Sequence, residues 1–211
     1  MTIRVPHRII FAGLTCAGLI GAGVGLLGFS GPARADWRDR ISAQDVDRLA
    51  HLNDARDEAL AEARHRGGHG DARVLRAVFD PVPHAIPEGA LSGTWRCRQI
   101  KLGGATGYYV FDWFKCRIGR VNGALWFQKD GTQRMAGYLH PQQGMWVYLG
   151  AQSAKGEPIH RYSGRALSVG ENFNPDDQAG VLVGIGANHL RLDLPSPGTG
   201  ESDFDAIELV R

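Results

Sequence analysis

His65 and His69 are four residues apart, the spacing that lets two imidazoles on one helix face share a zinc ion. Gly67-Gly68 lies between them and ends a helix, so the shared face is lost and two solvent-exposed histidines beside a loop are expected. Asp176-Asp177 offers paired carboxylates, but Asn174-Pro-Asp-Asp177 lacks the alternating ligand spacing of a calcium loop and reads as a polar turn. His140, His160 and His189 fall on separate strands or turns and would meet only across a barrel mouth. Gln133-Arg134 follows a tight turn and has the donors to orient a carboxylate. Neighbours on a strand face opposite sides, however, so the two cannot share a site; a buried Arg134 paired with Asp112 or Glu208 is the structural equivalent. No Gly-x-Ser-x-Gly, His-Glu-x-x-His, phosphate loop or Cys-x-x-Cys occurs. On this reading there are no catalytic residues, no metal site and no cofactor.

The residues that remain are a cysteine pair and the charges around it. Cys97 and Cys116 sit in two adjacent strand-like stretches, 95–102 and 108–118, separated by a glycine-rich turn. An antiparallel hairpin sets the cysteines opposite one another, within reach of a disulfide. That register puts Trp95 with Ile118, Gln99 with Phe114 and Lys101 with Asp112 on one face, the better candidate for an interior. The other face then pairs Arg96 with Arg117, Arg98 with Lys115, Ile100 with Trp113 and Leu102 with Phe111. Opposed cations repel by roughly 0.2–1 kcal/mol per pair, so an acid must lie nearby. It comes from the helical region, from Asp203, Asp205 or Glu208, or from an anionic ligand. The Arg96/Arg98/Lys115/Arg117 surface is therefore the first place to look for binding, and the barrel mouth near Lys101 and Asp112 the second.

These positions need a scaffold. From Ser42 to Arg66, Val46, Leu49, Leu52, Leu60 and Ala63 recur at helical steps, and Ser42 with Asp45 forms a capping arrangement. Asp71 caps a second helix, whose Val74, Leu75, Val78 and Phe79 make an apolar face. The helices are too small to bury their stripes alone, and the Ile100/Leu102/Phe111/Trp113 patch gives them somewhere to dock. Pro81–Pro87 is a stiff connector that joins no regular element. After Leu91, alternating aromatic and β-branched residues with Asn122-Gly123 and Asp130-Gly131 turns predict strands near 93–102, 108–119, 124–129, 132–139, 145–151, 159–164, 180–186, 188–194 and 204–210. The predicted class is α+β: a helical hairpin over 36–80, a connector over 81–90 and an antiparallel β-barrel over 91–211, with a two-sheet β-sandwich as the alternative.

Residues 1–35 read as a cleavable export signal, with Arg4, His7 and Arg8 before an uncharged run from Ile9 to Ser30 and Ala33-Arg-Ala35 at the end. An uncleaved anchor is the alternative. The whole chain has 24 basic and 22 acidic side chains; without residues 1–35, which hold Arg4, Arg8 and Arg34 and no acid, the balance is 21 against 22. Nothing in that balance calls for nucleic acid. Two cysteines then remain, an even number suited to the oxidising periplasm.

Gly93-Thr94-Trp95 resembles the Gly-x-Trp start of lipocalins, avidins and other calycin-type barrels, in which a late basic residue packs over the tryptophan; the resemblance implies Arg211 for that role, with Arg191 second. A periplasmic inhibitor of secreted metalloproteases has a similar barrel and early disulfide, with an extended arm where this chain has helices. More of the chain resembles an exported proteobacterial family of unknown function. The residues that carry this likeness are Trp37-Arg38, Ser42-x-x-Asp45-x-x-Arg48-Leu49, Gly93-Thr-Trp-Arg-Cys-Arg98, Lys101-Leu-Gly-Gly104, Phe114-Lys-Cys-Arg-Ile118, Gln133-Arg134, Tyr148-Leu-Gly150, Glu201-Ser202 and Glu208-Leu209. That likeness implies location and architecture and brings no catalytic residues. The expected function is a periplasmic binding or interaction module, its partner an envelope protein or a small anionic ligand. Inhibition of an exported protease and an envelope hydrolase with dispersed His and Asp residues are the alternatives.

Overall fold

The computed structural model describes residues 36–67, 71–164, 174, 176–197 and 200–211. The expected export segment, His69 and Pro175 of the expected polar turn lie outside the described residues. Ser42 caps helix α1 (Ala43–Ala50): its Oγ accepts from the Asp45 amide at 3.1 Å and donates to the Asp45 carboxylate at 2.7 Å. The single helix expected over 42–66 is two, divided at His51, whose φ of −100° and ψ of 14° leave the helical region. The break lets α1 pack toward one side of a curved barrel while α2 (Leu52–Arg66) runs over another. Gly67, at φ +65°, ends α2, and Asp71 caps α3 (Ala72–Phe79) as its sequence predicts. Leu52, Leu60, Ala63, Leu75 and Val78 are buried as expected, whereas Val46 is half exposed.

Nine antiparallel strands follow: β1 (Gly93–Gly103), β2 (Gly107–Val110), β3 (Phe114–Val121), β4 (Ala124–Lys129), β5 (Gln133–Gln142), β6 (Met145–Ala154), β7 (Asp177–Gly186), β8 (His189–Pro195) and β9 (Phe204–Val210). Strand β1 pairs with β3 on one side and β9 on the other, so β1 and β3–β9 close into an eight-stranded barrel, and the sandwich alternative falls away. The short β2 extends the C-terminal half of β1. The strand expected at 159–164 does not form, because β6 and β7 already pair with each other and leave no edge for it. Tyr162 packs instead on the outside of β6 and β7, donating to Asp45 at 2.6 Å and accepting from the Ser42 amide at 2.9 Å. The proline-rich connector is also more engaged than expected: His84 forms an antiparallel bridge with Gly184, where a side chain on residue 184 would strike the His84 ring.

The predicted hairpin is real but its register is not. Cys97 and Cys116 are bonded, with Cα atoms 5.8 Å apart, yet Cys116 lies opposite Trp95 and Cys97 opposite Phe114. The stretch read as one strand over 108–119 is interrupted at Phe111–Trp113, which leaves the ladder between β2 and β3. The offset between β1 and β3 is two residues. An even slip changes every partner but keeps every side chain on its face, so Trp95, Cys97, Cys116 and Ile118 are interior as expected.

Inside, the barrel has two unlike ends. Around Trp95 it is apolar, with Ile118, Leu125, Leu139, Trp146, Leu182 and Leu209. The indoles are satisfied by the connector: Trp95 Nε1 donates to the Leu91 carbonyl at 2.9 Å and Trp146 Nε1 to that of Ile86 at 3.0 Å. The Arg211 guanidinium stacks 3.7 Å from the Trp95 ring centroid, the place its calycin likeness implies. Arg191 lies outside the barrel under α3. There it binds Asp193 at 2.6 and 2.9 Å and the Val78 carbonyl at 2.8 Å. The other outward residues of these strands, Ile100, Leu102, Val183, Ile185, Phe204 and Ala206, receive α2 and α3. Phe111 and Trp113, expected in that dock, take no part; Trp113 is 37% exposed.

Candidate functional site: a cationic groove on β1 and β3

Alternation along β1 and β3 turns Arg96, Arg98, Lys115 and Arg117 outward, because Cys97 and Cys116 between them face the core. The two-residue slip makes Arg96 the partner of Lys115 and Thr94 that of Arg117. Arg98 leaves the ladder with β3 and lies opposite Glu208 on β9. Its Nε donates to Glu208 Oε2 at 2.5 Å, and His189 Nε2 lies 2.7 Å from the other carboxylate oxygen. Burial pushes the Glu208 carboxyl up, but hydrogen bonds from His189 and Arg98 outweigh it and hold the group below the usual glutamate range. One of the acids expected near the cations is thus Glu208, and it neutralises Arg98 alone. Among the described residues no carboxylate forms an ion pair with Arg96, Lys115 or Arg117.

Two guanidiniums lie against the Trp113 ring, Arg98 4.4 Å and Arg96 4.7 Å from its centroid. The excursion at Phe111–Trp113 that spoils the strand is what places the indole there. Beside it opens a groove of about 440 Å³ whose lining includes Thr94, Arg96, Trp113, Phe114, Lys115 and Arg211. Arg211 donates to the Ala90 and Leu91 carbonyls at 2.7 and 3.0 Å, which fixes its guanidinium over Trp95.

The second expected place divides. Lys101 faces inward and is 3% exposed, as read from the sequence, but its partner is Glu201 rather than Asp112. Asp112 sits exposed in the excursion, where the broken ladder carries it away from Lys101. Around Lys101 the barrel interior is polar: Asp205 accepts from Gln99 at 2.7 Å and Ser202 at 2.5 Å, and burial pushes its carboxyl up against the opposing pull of Lys101. Lys129, 2% exposed, donates to the Gln133 carbonyl at 2.6 Å and lies 4.9 Å from the Phe114 centroid; burial lowers its pKa to about 8. Tyr148 Oη and Gln178 Oε1 are buried without a hydrogen-bond partner among the described residues. The sequence reading placed Gln99 and Lys101 inside but missed Lys129, Asp205 and Ser202 beside them. For Lys129 the signal was there: it falls on the same alternation phase as Phe127, just as Gln99 and Lys101 share that of Trp95 and Cys97.

The other candidates are not brought together. His140 lies beside Tyr138 on the outside of β5, His160 binds Asp176 at 3.0 Å, and His189 belongs to Glu208. Arg134 donates to the Glu157 carbonyl, not to Asp112 or Glu208. Asp177 accepts from the Ser163 amide and hydroxyl and from Asn174, which is what a capped polar turn requires. Among the described residues no three His, Cys, Asp or Glu side chains group as metal ligands. The chain belongs to the family described as a domain of unknown function, DUF4893, whose model matches residues 37–209. No curated protein and no solved structure matches it.

Proposed function

We propose that this member of the DUF4893 family is an exported, non-catalytic binding module that holds an anionic partner group in the groove of β1 and β3. The observation that carries the reading is Trp113 held against both Arg96 and Arg98, next to Lys115 and Arg117, which have no acid of their own among the described residues. Glu208 neutralises Arg98, so Arg98 positions the indole while Arg96 and Lys115 remain to meet charge from outside. Arginine and tryptophan are the residues most enriched where binding energy concentrates. A stacked guanidinium has already lost rotamer freedom, which lowers the entropy cost of engaging a ligand. A buried disulfide suits an oxidising compartment, and the basic, apolar and small-residue pattern of residues 1–35 supports export to the periplasm. No helix among the described residues is long and apolar enough to cross a membrane.

Thermal stabilisation at low salt by acetate, octanoate, phosphate and a hexaglutamate peptide blocked at both ends tests the reading. At least one probe is expected to raise the melting temperature saturably, less so at high salt, and not in an Arg96→Ala/Lys115→Ala double variant. No saturable effect from any probe, or an equal effect on the variant, refutes it.

A further inference from the structure

We infer that the groove receives the apolar C-terminal residue of a partner polypeptide, its free carboxylate set against Arg96 and Lys115; this rests on the binding reading above and narrows it. With about 440 Å³, the groove is at the low end of clefts that hold small molecules, roughly 300–1,000 Å³. Its lining joins the apolar side chains of Trp113 and Val210, both on the outward side, to the cationic side chains of Arg96 and Lys115. A ligand complementary to both joins an apolar group of side-chain size to an anion only a bond or two away. A chain-terminal leucine or phenylalanine has that form.

The strand pairing argues for a chain end over a segment running through. Both neighbours of β1 here are strands, β3 and β9, and both neighbours of β3 are strands, β1 and β4. A through-running peptide finds no open edge to complete its ladder, and its amides would lie unpaired over apolar walls. A chain end brings one amide and then a carboxylate, which Arg96 and Lys115 satisfy. An alkyl carboxylate shares the chemistry, but the groove is open to solvent along its length and a long chain would keep one flank in water. Arg117 continues the cationic face along β3, where acidic residues preceding the terminal one would lie.

Fluorescence anisotropy of a labelled hexapeptide, Glu-Glu-Asp-Asp-Ser-Leu, with a free C-terminus and as its amide, tests this on the chain from Asp36 onward as exported. The free acid is expected to bind at least tenfold tighter than the amide. Arg96→Ala, Lys115→Ala and the charge reversal Lys115→Glu are each expected to remove at least tenfold of the affinity. Arg134→Ala, on the far side of the sheet register, is expected to leave it unchanged, with far-UV circular dichroism reporting that every variant is folded. An amide that binds as well as the acid, yet still depends on Arg96 and Lys115, overturns the chain-end inference and leaves the anion-binding reading standing. Decanoate binding in place of the peptide does the same. Failure of the peptides and decanoate alike to bind overturns the chain-end inference, and overturns the anion-binding reading as well when acetate, octanoate, phosphate and hexaglutamate also fail to stabilise the protein.

Discussion

The Arg98 guanidinium is held by Glu208 across β1 and β9, Nε to Oε2 at 2.5 Å, and both side chains are largely buried. The pair supports the surface above it, since the indole of Trp113 rests on Arg98. Glu208→Gln removes the negative charge and leaves a buried guanidinium beside a neutral amide. One-sided loss of a buried pair typically costs about 3–5 kcal/mol, and a loss near the lower figure is expected here because the amide oxygen still accepts one hydrogen bond. The pH dependence has a definite sign. The Glu208 carboxyl lies below its ordinary value of 4.5, so its contribution is complete above that value and fades as pH falls through the depressed folded one. Urea denaturation of both proteins across the acid range is expected to show the gap closing below the ordinary value. A gap that stays constant on acidification contradicts the assignment.

Lys129 gives the opposite sign. Its ammonium is buried with no carboxylate in ion-pair contact among the described residues, although Asp205 and Asp130 attract it and Lys101 repels it. The folded pKa of about 8 lies below the ordinary 10.5, so the folded chain gives up this proton first. Stability therefore rises with pH between those two values, by up to roughly 3 kcal/mol from this group. Lys129→Met, similar in volume, is expected to be more stable than the wild type at neutral pH by about 1–3 kcal/mol and to lack the alkaline rise. Equal slopes for the two proteins would show that Lys129 is not desolvated.

Most of what the sequence made readable is parity. Alternation in β1 and β3 assigns each residue from Trp95 to Lys101 and from Lys115 to Ile118 to the correct side, and an even slip leaves that assignment intact. The cross-strand partners are wrong because Phe111 and Trp113 are strand formers, and Asp112 alone between them, with no glycine or proline beside it, is too weak a turn signal to mark a break. Their exit from the ladder depends on tertiary contacts, above all the two arginines against Trp113. For the same reason the Lys101–Asp112 pair could not be excluded from spacing alone, and Glu201, 100 residues away, could not be found from it. The strand expected at 159–164 fails on topology: pattern cannot reveal that the barrel is already closed.

Cys97 and Cys116 close a loop with a sequence separation of 19, and both side chains are fully buried. Chain-entropy arguments give such a crosslink about 3 kcal/mol. The Cys97→Ala/Cys116→Ala double variant is expected to lose that much and to keep the barrel, because the paired strands on either side are unaltered. Burial also protects the bond: dithiothreitol is expected to reduce it far more slowly in the native protein than in urea, since access requires opening the core. Equal rates would place the sulfurs at the surface.

Gly150 is a position where a single methyl group does great harm. On β6 it faces Gly137 of β5, and the ring of Tyr148 lies across both, with its hydroxyl over Gly150. A Cβ at residue 150 would collide with Tyr148 Oη and with the Ala136 carbonyl oxygen, one of which is backbone and cannot move aside cheaply. Overpacking usually costs about 1–3 kcal/mol, and Gly150→Ala is expected at or above the upper end. Tyr148→Phe separates the causes. It deletes a buried hydroxyl that has no partner among the described residues, so alone it is expected to be neutral or stabilising by about 1 kcal/mol. Combined with Gly150→Ala it removes the hydroxyl collision and leaves those with the ring Cζ and the carbonyl, so the double variant recovers a small part of the loss and no more. Full recovery in thermal melts would mean that the ring and the backbone of β5 both yield at this point; no recovery would mean the hydroxyl does not lie over Gly150.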